Sequence, residues 1–303
     1  MLNYQSKLLK AERIFQSQRS IAKKTSGFTL LELIIVIIIL GVMSVGITGF
    51  ITLSTQTYLN VSERDELLSS ARFAVERLNR EVRDAAPNSV RVANGLGWHC
   101  LEFIPIVGST TYIDIPDTSE EANNNLQVIP FLDKNGHDYE CGNGSTCRDL
   151  VTVYPLDSTD IYKNVYTNQQ DTGKVFWLNS TSIVDTNTWQ LTLNSPLGVQ
   201  FDEHSPTERL YILGSPVSYC THDIRGLWRF DNYIVTENQK TPPRVADRSL
   251  MAENLVAFNA LTPVFNVAGA TLQRNAIVSI RLNFVRDGEN IVFQNEIHIN
   301  NIP

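Results

Sequence analysis

A long uncharged and apolar segment near the N-terminus constrains this chain more than any other feature. No Asp, Glu, Lys or Arg occurs from Leu33 to Ser62, and residues 28–53 are apolar with few interruptions. A helix of about 20 residues crosses the hydrocarbon core of a bilayer, at ~1.5 Å per residue. The segment therefore predicts a transmembrane helix over 28–53. A buried strand pair or a core helix of a soluble protein is the alternative, and the length of the run and its basic N-terminal flank argue against both.

Charge is distributed unevenly on the two sides of this segment. The first 27 residues hold six basic side chains and one acidic side chain, whereas the whole chain of 303 residues has a net charge of −7. Basic residues flanking a transmembrane helix favour the cytoplasmic side of the membrane. We therefore expect a cytoplasmic N-terminus, with the remainder of the chain beyond the membrane. The acidic remainder argues against a nucleic-acid partner.

The junction between the basic and the apolar segment carries a motif. It reads Lys23-Lys24-Thr25-Ser26-Gly27-Phe28-Thr29-Leu30-Leu31-Glu32. This order resembles the cleavage motif of type IV pilins and the related pseudopilins. The resemblance implies that a prepilin peptidase removes residues 1–27 as a cytoplasmic leader by cutting between Gly27 and Phe28, and that the new amine of Phe28 is methylated. A secretory signal is the alternative, but no A-x-A-like cleavage site follows the apolar run.

Glu32 is an acidic residue within the predicted membrane segment. A carboxylate in an apolar helix is costly, so a functional role is the first hypothesis. The alternative is that Glu32 lies at headgroup level and reaches water. The pilin resemblance implies instead that Glu32 compensates the positive amine of Phe28, of its own or an adjacent subunit, and so sets the register of assembly.

The helix is expected to continue beyond the membrane. Apolar residues recur every three or four positions within 54–86, as on one face of an amphipathic helix, and Pro87 is expected to end it. Gly41, Gly46 and Gly49 are positions where the helix could bend. The apolar face comprises Leu67, Leu68, Ala71, Ala74, Val75, Leu78 and Val82.

Short β-like segments dominate the chain after Pro87. The clearest are two runs of alternating apolar residues, 276–284 and 291–299, separated by Asp287-Gly288-Glu289-Asn290, which is typical of a hairpin turn. We expect 250–258 to form a short helix. One globular α+β domain over 88–303 is the simplest partition. The pilin resemblance implies a fold in which a long N-terminal helix, half transmembrane and half amphipathic, packs on an antiparallel β-sheet.

Four cysteines follow the membrane segment: Cys100, Cys141, Cys147 and Cys220. An even number of cysteines outside the cytoplasm favours disulfides, with three possible connectivities. Cys141 and Cys147 are close enough in sequence to close a small loop, which would leave Cys100 for Cys220, and we favour that pairing. Zinc is disfavoured because no CxxC or His partner has ligand spacing.

No motif predicts an enzyme or a cofactor. The chain lacks H-E-x-x-H, G-x-S-x-G and phosphate-loop patterns. One cluster of oxygen-bearing side chains, in 133–140, could be a calcium loop, but its glycine and terminal Glu do not fit the EF-hand spacing. We favour a solvated turn and keep calcium as the alternative. The candidate ligands are Asp133, Asn135, Asp138 and Glu140.

Three further segments resemble minor pilins of mannose-sensitive haemagglutinin pili, a group within the J-type minor pseudopilins: 54–85, 215–220 and 297–303. The resemblance implies a non-enzymatic subunit that waits in the inner membrane and acts in priming or at the tip of a filament. Its partners would be prepilin peptidase, other major and minor pilins, the inner-membrane assembly platform and membrane lipid. A type II secretion pseudopilin and a tip adhesin with its own ligand remain alternatives.

Overall fold

The computed structural model describes residues 27–141, 147–163, 172–222, 226–256, 262–269 and 275–299. The chain divides into two compact units, Met1–Val61 and Ser62–Pro303. Of the predicted leader, 1–27, all but Gly27 lies outside the described residues, as do positions 257 and 258 of the expected short helix and the last four residues.

The long helix, α1, runs without a break from Leu30 to Arg83. Thr29 precedes its first turn, where the Glu32 backbone N–H donates a hydrogen bond to Thr29 Oγ1 at 3.3 Å. This is the usual role of a threonine at a helix N-cap. The helix ends at Arg83, three residues before the expected limit at Ala86. The backbone N–H of Ala86 donates to the oxygen of Ile104 at 2.8 Å and so does not continue the helical pattern.

Sixteen strands lie within the described residues. They are β1 (Arg91–Gly95), β2 (Trp98–Phe103), β3 (Ile106–Asp114), β4 (Asn125–Val128), β5 (Leu150–Val153), β6 (Thr172–Gly173), β7 (Val175–Ile183), β8 (Trp189–Leu193), β9 (Gln200–Phe201), β10 (Arg209–Leu213), β11 (Val217–His222), β12 (Gly226–Asp231), β13 (Asp247–Ala252), β14 (Phe265–Ala268), β15 (Ala276–Arg286) and β16 (Glu289–Ile299). A short helix, α2, spans Ser158–Tyr162.

Two antiparallel sheets provide the surface on which the C-terminal part of α1 packs. The first has the order β1-β2-β11-β12-β13, and the second the order β14-β15-β16. Their inward-facing side chains share one apolar core with α1, which buries its residues Leu67, Ala71, Ala74, Val75, Leu78 and Val82. The predicted apolar face is therefore confirmed except at Leu68, which is only partly buried. The predicted α+β fold, a long N-terminal helix followed by an antiparallel sheet domain, is confirmed.

A closed six-stranded barrel is inserted into the first sheet. Its strand order is β10-β3-β4-β8-β7-β5, and all of these strands lie between β2 and β11 in the sequence. Because β2 and β11 pair directly, with Phe103 opposite Val217, the barrel leaves and re-enters the sheet at neighbouring strands. It has its own apolar core, which includes Phe131, Trp189 and Phe201.

The C-terminal hairpin forms where the alternation predicted it. β15 and β16 pair over their full length from Arg286 opposite Glu289 to Ala276 opposite Ile299. Asp287 and Gly288 lie between them with φ values of 49° and 87°. Two central residues with positive φ match a type I′ turn, for which Asp-Gly is a favoured pair.

One expectation about secondary structure is wrong. The segment expected to be a short helix over 250–258 begins as strand, because Leu250, Met251 and Ala252 belong to β13. Pairing with β12 supplies the backbone hydrogen bonds that a helix would otherwise have made within itself.

Candidate functional site

The predicted cleavage junction is exposed and non-helical. Gly27, Phe28 and Thr29 precede the first helical residue, and the Phe28 side chain is 79% exposed. In the described part of the chain, no heavy atom outside its chain neighbours lies within 4 Å of the place where a Cβ on Gly27 would be. A peptidase needs an accessible stretch of backbone that is not locked in a helix, and the Gly27–Phe28 bond meets both conditions.

Hydroxyl groups in the apolar part of α1 form hydrogen bonds within the helix. The hydroxyls of Ser44, Thr48 and Thr52 donate to the backbone oxygens four residues earlier, at 2.7 Å, 2.7 Å and 2.9 Å. Such bonds remove the cost of carrying hydroxyls into lipid. Among the described residues, α1 is the one helix whose length and composition would allow it to cross a membrane.

Glu32 lies in the first turn of α1, four residues after Phe28. It is the single Asp, Glu, Lys or Arg in the whole span from Phe28 to Ser62. The backbone N–H of Leu33 donates to the oxygen of Thr29 at 3.2 Å, so the turn that carries Glu32 is regular. The positive end of the helix dipole at this terminus favours a negative charge.

The opposite end of α1 is fixed to the first sheet by a half-buried ionic network that the sequence analysis missed. Glu81 accepts hydrogen bonds from Arg77 Nε at 2.9 Å, from Arg229 Nε at 2.8 Å and from the Tyr219 hydroxyl at 3.0 Å. Arg229 also pairs with Asp231. Burial would raise the pKa of Glu81, but the hydrogen bonds from Arg229, Arg77 and Tyr219 and the charge of Arg229 outweigh it and lower that pKa.

A second buried polar cluster holds α2 and the segment after β12 against the same sheet. Glu102, almost fully buried, accepts from Arg91 Nε at 2.8 Å and from the Tyr233 hydroxyl at 3.1 Å. The Arg91 guanidinium lies 3.4 Å from the centre of the Tyr162 ring. Burial is the main cause that raises the pKa of Glu102. The sequence signal that could have predicted this cluster is Glu102 itself, the one acidic residue in the mostly apolar strand β2.

Two disulfides are present among the described cysteines. Cys100 and Cys220 occupy directly opposite positions on β2 and β11 and are bonded to each other, and Cys141 is bonded to Cys147. These are the pairs favoured from sequence spacing. The first bond joins the two strands between which the barrel is inserted.

The calcium candidate forms a compact turn. Asp133 Oδ1 accepts the backbone N–H groups of Asn135 and His137 at 2.8 Å and 2.9 Å. The hydrogen bond from His137 is the main cause that lowers the pKa of Asp133. In the part of the chain that the structure describes, no three His, Cys, Asp or Glu side chains form a group able to hold a metal ion, so Asp138 and Glu140 do not gather around Asp133.

One comparison with known proteins bears on the junction. Residues 22–48 match the family model described as the prokaryotic N-terminal methylation motif. The matched range includes Gly27, Phe28 and Glu32. No curated protein and no solved structure matches the chain. The motif supports a type IV pilin-like protein that is anchored in a membrane, is processed by prepilin peptidase and has a structural role.

Proposed function

We propose that this chain is a minor pilin of a type IV pilus system, similar to MshO of the mannose-sensitive haemagglutinin pilus, and that it acts in priming or at the tip of the filament. Prepilin peptidase removes residues 1–27, and the Phe28 amine is methylated. Before assembly the protein spans the inner membrane once, with a cytoplasmic N-terminus and a periplasmic globular domain. The observation that carries the proposal is the exposed, non-helical Gly27–Phe28 junction immediately before the apolar part of α1, residues 30–62, in which Glu32 is the one acidic residue.

The size of the globular domain supports a minor rather than a major subunit. Residues 88–303 include a complete barrel inserted into the sheet that packs on α1. A shaft subunit repeats at every step of a helical polymer, where this bulk would have to be accommodated each time. A subunit present once, at a tip or in a priming complex, has no such constraint.

The helix and the junction would serve a minor pseudopilin of type II secretion equally well. Immunogold labelling of sheared pili distinguishes the two systems. Label confined to filament ends supports the pilus tip role, label along the shaft contradicts it, and absence of label with loss of protein secretion in a deletion strain supports the pseudopilin alternative. A tip adhesin would in addition need a ligand for the barrel or the sheet.

Substitution of Gly27 by Leu tests the cleavage site. We expect the variant to keep its leader, which accounts for about 3 kDa of the 34.1 kDa chain, because a large side chain at the cleaved bond hinders the peptidase. The measurement is the intact mass of membrane-extracted protein. Thr29→Ser is the matched control, since it keeps the capping hydroxyl, and it should mature normally. Normal maturation of Gly27→Leu would refute the site.

A further inference from the structure

The backbone hydrogen bonds of β15 show which residues of the C-terminal sheet bond to which neighbouring strand. Its residues Arg281 and Val285 donate to Val264 and Asn254 at 2.8 Å each, away from β16. In an antiparallel strand the residues that bond to one neighbour alternate with those that bond to the other. The even-numbered residues of β15 therefore bond to β16, and their partners on β16 are the odd-numbered residues.

It follows that the even-numbered residues of β16 direct their backbone N–H and C=O groups to the outer edge of the sheet. No described residue pairs with this edge, and the sheet order ends at β16. A row of unpaired backbone groups is a template for another strand. The residues of β16 whose backbone groups point to this outer edge are Asn290, Val292, Gln294, Glu296 and His298.

The apolar core is left incomplete along the same edge. On β15 the inward-facing Ile280, Leu282 and Phe284 are at most 2% exposed. On β16 the corresponding Ile291 and Phe293 are only partly buried. A further strand beside β16 would cover the exposed parts of these two side chains and remove apolar surface from water.

The other sheet edges are short, closed or charged, as natural edges usually are. The barrel has no edge, β14 has four residues and lies against β1 and β2, and β13 presents Asp247 and Arg248. β16 instead offers 11 residues in unbroken register, without proline, lysine or arginine.

We propose that the outer edge of β16 accepts an extended strand of a second polypeptide, which alternates apolar and polar residues and carries basic side chains at polar positions. The unpaired backbone groups of the edge can pair only with an extended segment. The half-buried Ile291 and Phe293 favour apolar residues at alternate positions of that segment. The basic character follows from charge: Glu296 is exposed and makes no ion pair with a described residue, whereas Glu289 has Arg64 at 3.9 Å.

Binding of a synthetic peptide to the full chain in detergent tests the proposal. The probe is a short fluorescein-labelled peptide that alternates valine with lysine or threonine, followed by fluorescence anisotropy. Val292→Pro with Gln294→Pro removes two outward N–H groups but no bond to β15, and should weaken binding about tenfold or more. Val292→Thr with Gln294→Thr keeps both N–H groups and should bind as the unaltered chain does.

Two control peptides and one independent measurement complete the test. A scrambled peptide of the same composition, and one with glutamate in place of lysine, should each bind about tenfold more weakly, the factor for ~1.4 kcal/mol. Residue-resolved amide exchange should show that the peptide slows exchange at even-numbered residues of β16 alone, in the unaltered chain and the threonine control.

Equal binding by the unaltered chain and the folded proline variant would overturn the proposal, as would equal binding of the glutamate or scrambled peptide. Protection of the even-numbered amides that rises with protein concentration before peptide is added would also overturn it, because a second copy of this chain would then be the occupant. None of these measurements depends on leader cleavage, so their failure leaves the proposed pilin function untouched.

Discussion

At the scale of single residues, the assembly hypothesis depends on the charge of Glu32. The surrounding surface of α1 is apolar and would pack against other helices with little specificity. A buried carboxylate without a partner is costly, so a complementary amine on Phe28 would select one axial position among many. The structure places Glu32 in the first helical turn, close in sequence to the residue that cleavage would turn into the N-terminus.

Replacement of Glu32 by Gln should therefore leave membrane insertion intact but reduce incorporation into filaments. We expect a loss of about tenfold, the factor that corresponds to ~1.4 kcal/mol of lost pairing energy. The measurement is the ratio of protein in sheared filaments to protein in membranes. Glu32→Asp keeps the charge and should retain more incorporation than Gln. Undiminished incorporation of the Gln variant would contradict the charge pairing.

At the scale of elements, α1 combines two different surfaces in one helix. Its first part exposes apolar side chains on all sides, whereas its second part buries one stripe against the two sheets. Glu81 adds directional contacts to this stripe, because it joins Arg77 of the helix to Arg229 and Tyr219 of the sheet. The network fixes the rotation of the helix, which apolar packing alone specifies less sharply.

Glu81→Gln should lower the free energy of unfolding by about 1–3 kcal/mol, because charged hydrogen bonds to two arginines are lost. The pKa of Glu81 is lowered in the folded state, so its contribution is present above the usual value of 4.5 and is lost as pH falls below it. Denaturant unfolding across that range should show a smaller stability gain with rising pH for the variant. The same pH dependence in both proteins would contradict this role.

At the scale of the whole molecule, the globular unit is a sheet interrupted by a barrel. The barrel has its own core and returns the chain to the strand beside the one it left, so the sheet stays continuous despite the insertion. The Cys100–Cys220 bond crosses the sheet at this place and closes a loop that contains the entire barrel. The Cys141–Cys147 bond closes only a small local loop.

The two disulfides should consequently differ in their effect on stability. In the chain-entropy account, closing the longer loop stabilises the fold by about 2.5 kcal/mol more than closing the shorter one. Replacing Cys100 and Cys220 by Ala should thus lower the melting temperature more than replacing Cys141 and Cys147 by Ala. Thermal unfolding of the two double variants gives the comparison. Four free thiols by mass spectrometry, in protein isolated from cells without reductant, would contradict both bonds.

Local patterns account for the features that were predicted from sequence. The stripe from Leu67 to Val82, the proline that follows α1 and the Asp287-Gly288 turn each depend on residues within a few positions of one another. The junction at Gly27 and Phe28 is likewise read from consecutive residues. The expected helix over 250–258 failed because pairing with β12, a non-local contact, overrode local preference at Leu250–Ala252.

The sequence alone determined the apolar span, the junction that precedes it, the buried stripe of α1 and the final hairpin, because periodicity and turn chemistry act over short distances. Only the tertiary structure decided that β2 pairs with β11, that a barrel lies between them and that Glu81 meets Arg229. It also decided that no strand among the described residues pairs with the outer edge of β16. These depend on contacts between residues far apart in the chain, and such pairings leave no periodic pattern in one sequence.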